Sequence, residues 1–426
     1  MKTLTVSKKF GSWFAWFRPD TRDMPSRRYD LDWLRVAVFG LLIGFHIGMF
    51  YVQNWGWHVK SQYLNDDLDK VMLFVEPWRM ASLWLISGIA IRFVLAKVSL
   101  FRFVTQRSYR LLLPLAFGVL VIVPPQLYFE MTANGDLHSS YWQFYQEFFT
   151  LNSPMFEKYR YGIFQHINGN HLWYLQALWK YSLYLIPLLP LFNSVIFNRI
   201  SSRFFKLNGM LQVALALIPI AIIQLTVELD LVRYPLGFLF LCYGYLIGWN
   251  SDFWAKVKAK RRTLLTCFLI NYLLFVSFYS LIFMGDDPAL KDGLVGLAGM
   301  CCYALQRLLG LLMVLGYAHQ YLNKKSNKLG YFSDAVYPFY IVHQTIIIVA
   351  GSLLSQFSLG AYVEPILLFI ITIAGCFVTY ELIRRSALLR PMFGLKQSKA
   401  FSPQMITIGY VVAAFAIIPL AYQSLN

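Results

Sequence analysis

The sequence predicts an all-α, polytopic transmembrane helix bundle of about 11 spans (a ten-helix core plus one), with its N-terminus in the cytoplasm. Three observations predict it. Of 426 residues, 58% are hydrophobic and only 14% charged, which excludes a disordered chain and an ordinary soluble globular protein. Apolar runs of about 20 residues, long enough to cross a bilayer core, recur from end to end. The basic residues, 38 Lys and Arg against 21 Asp and Glu for a net charge of +17, fall on one side of those runs.

The runs are 33–52, 71–96, 109–129, 171–192, 210–227, 235–249, 264–283, 294–320, 335–354, 362–383 and 405–422. The sixth is the shortest and carries glycine. Between the runs, one alternating set of segments, counted with Arg110 at the edge of the 109–129 run, holds 27 of the 38 basic residues, the other set holds six, and five (Arg35, Arg79, Arg92, Lys180, Arg307) fall deeper inside runs. A positive-inside bias of this kind orients the chain: the basic segments face the cytoplasm, and after eleven spans the C-terminus is outside. The basic residues are spread over separate cytoplasmic segments, so no single face is suited to nucleic acid. The expected organisation is a basic tail over 1–30, a membrane domain over 31–396 with an outer loop at 130–170, and an additional C-terminal helix within 397–426. No cleavable signal peptide is apparent, and an aromatic patch at 10–17 suits the cytoplasmic headgroups or a disordered tail. The outer loop, rich in Tyr, Phe, Trp and Gln, reads as a lid, an acceptor platform or a simple cover.

Ionisable residues inside spans are costly in hydrocarbon, so each is a candidate functional site. In the first span, Arg35 and His46 are eleven residues apart, which places them on one helix face about 16 Å apart along the axis. Arg35 sits at the inner rim and His46 in the outer half. Arg79, on the second span, reaches similar depth; it is either a buried oxyanion or substrate contact or a snorkelling partner of Glu76. Ser87 and Gly88 on the same span permit close helix packing. His171 opens the fourth span as either an interfacial belt residue or a site residue, and Lys180, deeper in that span, requires a carboxylate or a hydrated cavity. His343, near mid-membrane in the inner half of the ninth span beyond Pro338, is a satisfied core histidine or part of a polar path. Glu381 and Arg385 have the spacing of a helix-surface pair, while Arg35, Arg110, Arg384 and Arg385 together suit a phosphate-binding inner mouth. No zinc-type ligand spacing, Walker loop or G-x-S-x-G elbow is present, so no metal site is expected. The five cysteines lie in apolar runs and read as buried free thiols.

The motifs, taken in order, resemble the acyltransferase-3 family of integral membrane acyltransferases. They are the Asp-x-Leu-Arg opening that ends at Arg35, the ten-residue gap to His46, and Arg79 ahead of Leu-Ile-Ser-Gly88. Arg107-Ser-Tyr-Arg-Leu-Leu-Leu-Pro114, His171-Leu-Trp-Tyr-Leu175 and Tyr337-Pro-Phe-Tyr-Ile-Val-His343 follow. Phe45-His-Ile, Trp57-His-Val, Tyr380-Glu-Leu-Ile-Arg-Arg385 and Leu389-Arg-Pro-Met-Phe-Gly394 lean toward its osmoregulated periplasmic glucan succinyltransferase-like branch. Where many members have two arginines, this chain has Glu76 and Arg79.

The resemblance implies transfer of a succinyl or acetyl group from cytoplasmic acyl-CoA, a donor substrate rather than a bound cofactor, to a hydroxyl of a carbohydrate outside the inner membrane. His46 would be catalytic, with Arg35 and Arg79 in support, as general base or through a covalent acyl-histidine. The competing reading is a secondary transporter or flippase using His46, Arg79, Lys180 and His343; it lacks the internal repeat that such proteins often show.

Overall fold

The computed structural model describes residues 17–160, 165–282, 284–285, 290, 293–396, 404 and 407, and among them the fold is helical without strands. Its main helices are α1 (Tyr29–Tyr51), α2 (Glu76–Leu95), α3 (Leu100–Phe117), α4 (Pro124–Ala133), α5 (Trp173–Tyr184) and α6 (Val195–Lys206). They continue with α7 (Gly209–Thr226), α8 (Arg233–Ile247), α9 (Arg261–Ile282), α10 (Leu294–Tyr321), α11 (Asn327–Leu354) and α12 (Val363–Arg385). Eight helices among the described residues are long and apolar enough to cross a membrane, or nine if the bent pair Asn170–Phe192 and Val195–Lys206 forms one span. These account for nine of the expected runs. The run at 235–249 is α8, a 15-residue helix, and 405–422 lies outside the described residues apart from residue 407, as do most of the 10–17 patch and most of the C-terminal segment.

The chain forms two compact units. Unit 1 comprises 1–38, 70–103 and 181–329; unit 2 comprises 39–69, 104–180 and 330–426. The division falls within α1, a continuous helix that carries both Arg35 and His46.

In unit 1, α2 packs directly on α8. A Cβ on Gly88 would strike the Leu241 carbonyl, and one on Gly244 would strike that of Leu85, so the two backbones meet where glycine removes the side chain. Near the start of α1, Arg28 forms a bidentate pair with Asp30 at 2.9 and 2.6 Å, and His319 donates to the same carboxylate at 2.7 Å. The Arg28 guanidinium lies 3.8 Å from the Trp254 ring centroid, which satisfies its flat face as well as its edge. Buried charges are tolerated here because each has a partner.

In unit 2, α11 is the central element. Gly351 admits the Phe50 ring, and Gly394, held at φ +66, lies against Tyr337 where no side chain fits. The 130–170 segment packs on itself. Phe144, Phe148, Phe156 and Tyr159 join Leu127, Met131 and Leu137 in a separate hydrophobic cluster, built on a helix capped by Ser140 and Gln143.

Candidate active site

Three helices bring three imidazoles of unit 2 together. His46 Nδ1 lies 2.8 Å from His343 Nε2, with the two ring planes 5° apart and their centroids separated by 5.0 Å. Parallel planes at that separation, with so short an N···N distance, define an in-plane hydrogen bond, not a face-to-face stack. His343 Nδ1 in turn lies 2.7 Å from the Tyr340 carbonyl. A carbonyl can only accept, so Nδ1 of His343 carries the proton and its Nε2 accepts from His46 Nδ1–H. The basic nitrogen of neutral His46 is thereby its Nε2. His343 is fully buried, whereas His46 is partly exposed.

His171 completes the group, edge-on to His343 with centroids 5.4 Å apart. Its Nε2 donates to the Ile341 carbonyl at 2.9 Å, and its Nδ1 faces Gln126 Nε2 at 3.3 Å. It is buried, so the belt-residue alternative fails: the turn Asn170–Leu172 carries it inward against α11. α11 runs from Asn327 to Leu354, and His343, expected near mid-membrane, falls near mid-helix, where its ring meets that of His46. Both carbonyls used by the imidazoles lie just past Pro338.

A polar network joins these rings to the loop after α1. Gln344 Nε2 donates to Gln126 Oε1 at 3.2 Å and to Asn170 Oδ1 at 3.1 Å, and Gln126 donates to Thr345 Oγ1 at 2.6 Å. The Thr345 hydroxyl donates to the Ile122 carbonyl. That carbonyl is available because a π-helical turn at Gly118–Ile122 shifts the Gln126 N–H to Val123. Asn170, at φ +44, accepts a further bond from His58 Nε2 at 3.0 Å, and His58 Nδ1 pairs with Glu130 at 2.5 Å. His58, Glu130, Gln126, Asn170 and Gln344 escape sequence reasoning; only the Trp57-His-Val signature hints at His58.

The remaining candidates separate. Arg110 donates to the Gly394 carbonyl at 3.4 Å, Tyr337 donates to the Arg110 carbonyl, and Arg107, absent from the expected set, is in electrostatic reach of Arg110, Tyr174 and Tyr337. Arg384 and Arg385 both bind Glu381, at 2.9 and 3.0 Å, and Tyr331 donates to that carboxylate, so the helix-surface pair is present. Lys180, in unit 2, is half-buried. Arg35, 3.8 Å from Asp32, and the buried Arg79 belong to unit 1, as does the half-buried Ser87. Glu76 on the same helix accepts from the Tyr303 hydroxyl at 2.7 Å. Arg79 is itself buried, within electrostatic reach of Glu76 and Tyr303.

Fold and site together define a multi-pass helical membrane protein with a histidine cluster in its apolar interior. The sequence profile described as an acyltransferase domain, that of the acyltransferase-3 family, matches residues 28–381, and the chain belongs to that family. No curated protein and no solved structure matches it. Family membership makes membrane acyl transfer its activity and sets the transporter reading aside.

Proposed function

We propose that the protein transfers a succinyl or acetyl group from cytoplasmic acyl-CoA to a hydroxyl of an extracytoplasmic glycan, as in the osmoregulated periplasmic glucan succinyltransferase-like branch. One observation carries the catalytic assignment. The line Tyr340 C=O, His343, His46 presents His46 Nε2 as the base, its tautomer set by a buried partner. His46 takes the acceptor's O–H proton while that oxygen attacks the thioester carbon. The tetrahedral oxyanion collapses with cleavage of the C–S bond, and the imidazolium returns its proton to the leaving thiolate.

The donor's phosphates lie at the basic inner mouth, on Arg110, Arg384 and Arg385 of unit 2, and Arg107 joins them. Along α11 the positions 337, 340 and 343 follow one another at three-residue steps. The rise from the Tyr337–Arg110 contact to the catalytic pair is therefore about 9 Å, within the reach of an extended thioester arm. The N-terminus lies in the cytoplasm, the C-terminus outside, and the spans number about eleven in a bacterial-type inner membrane.

The test combines purified full-length protein in nanodiscs, labelled succinyl- or acetyl-CoA and a glucan oligosaccharide. The wild type should transfer label to the sugar. His46→Ala should lose transfer while remaining monodisperse, and unchanged transfer in that variant would sink the assignment. A gain of ~100 Da per site identifies succinyl and ~42 Da acetyl, the mass increments of ester formation.

A further inference from the structure

Unit 2 holds a polar cluster that the acyl-transfer steps leave unused: His58, on the loop between α1 and residue 68, and Glu130, on α4. The loop is tied down along its length. Lys60 Nζ donates to the Met49 carbonyl at 2.9 Å, the Ser61 N–H to Phe50 at 3.0 Å and the Asn65 N–H to Tyr51 at 2.9 Å. The Ser61 hydroxyl donates to the buried Glu364 at 2.7 Å. A loop fixed at this many points presents its side chains in one arrangement, as a preformed ligand site requires.

Two features of that arrangement point to a ligand. The Trp57 ring lies 6.3 Å from the His46 ring, tilted by 32°, and Trp55 lies 6.0 Å from Phe45; both tryptophans keep part of their surface exposed. Indole faces beside a partly exposed catalytic imidazole offer an apolar platform for the C–H face of a sugar ring. Next to them, His58 Nδ1 is hydrogen-bonded to Glu130 Oε2, with Asn170 fixing the far side of the imidazole. A carboxylate has two oxygens and about four acceptor directions, so Glu130 retains capacity for hydroxyl donors beyond its bond to His58.

We propose that Trp57 and the His58–Glu130 pair form the acceptor subsite for a pyranoside, which stacks on the indole and is read through its hydroxyls by Glu130. The subsite presents one hydroxyl to His46 and so rests on the reading of His46 as the base.

The test measures equilibrium binding of a neutral β-glucan oligosaccharide, without acyl-CoA, to the full-length protein in nanodiscs by calorimetric titration and saturation-transfer NMR. Trp57→Ala should weaken binding about tenfold, the scale of losing one aromatic contact, and Glu130→Gln severalfold. Trp57→Phe keeps an aromatic face and should restore affinity to within about threefold, which separates a lost platform from a misfolded loop. Equal affinity in wild type and Trp57→Ala, or no binding to the wild type, overturns the subsite. Binding that depends on Trp57 and persists in His46→Ala upholds it, even where no acyl transfer occurs, and failure of transfer then counts against the catalytic reading alone.

Discussion

Replacing His343 by leucine tests the central geometry most directly. The substitution fills much of the same volume but removes the acceptor of the 2.8 Å bond from His46 Nδ1–H. His46 must then keep a buried N–H without a partner there or shift its proton to Nε2, which removes the basic nitrogen from the substrate side. An unsatisfied buried donor costs about 1–3 kcal/mol, so transfer should fall roughly 10- to 100-fold at ~1.4 kcal/mol per factor of ten. Removing the base itself, as His46→Ala, should cost about 10²- to 10⁴-fold. Since the two imidazoles act as one unit, the double variant should be no slower than His46→Ala alone. His343→Gln, whose amide oxygen can accept the same proton, should recover to within about tenfold of the wild type. The assay is initial-rate label transfer from acyl-CoA to oligosaccharide, with donor KM followed in parallel. His343→Leu within about twofold of the wild type, or losses in the double variant that multiply, would refute a pair in which one imidazole orients the other.

Three further outcomes concern stability. Gly88→Ala, whose new methyl meets the Leu241 carbonyl, should destabilise detergent-solubilised protein by about 1–3 kcal/mol, whereas Gly44→Ala on α1, with open space, should be neutral or stabilising; thermal unfolding compares them. Asp30→Asn strands the buried Arg28 and should cost about 3–5 kcal/mol in the same measurement, while an unchanged unfolding temperature would show that the ion cluster is dispensable. Burial holds the Lys60 ammonium down at about 8, so between there and its ordinary value of 10.5 the folded chain binds fewer protons than the unfolded one. Its contribution therefore rises with pH across that window, and the unfolding temperature of the wild type relative to Lys60→Met should climb between pH 8 and 10.

Most of the helices were legible because a span is a local property. About 20 consecutive apolar residues must form a helix in hydrocarbon whatever surrounds them, and the described helices follow the expected runs from α1 to α12. Helix ends were less legible. The polar turn 327–334 continues α11 beyond the expected run. His46 stood out because an isolated imidazole among apolar neighbours is conspicuous. His58 and Glu130 lie at span ends, where charged residues are ordinary, and nothing in their spacing joins positions so distant in the chain. The Glu381–Arg385 pair was legible for the opposite reason, since four residues on one helix always place two side chains together.

The sequence by itself determined that this is a helical membrane protein of the acyltransferase-3 family and that His46 is the residue to watch. Hydrophobic run length, charge asymmetry and short ordered motifs are written along the chain, and each acts within a few turns of helix. Tertiary structure decided which imidazole orients which. The partner of His46 lies 297 positions away and reaches it because α11 packs against α1, through contacts such as the Phe50 ring against Gly351. Helix neighbours in a bundle are chosen by the fit of whole faces, and no single stretch of sequence encodes that fit.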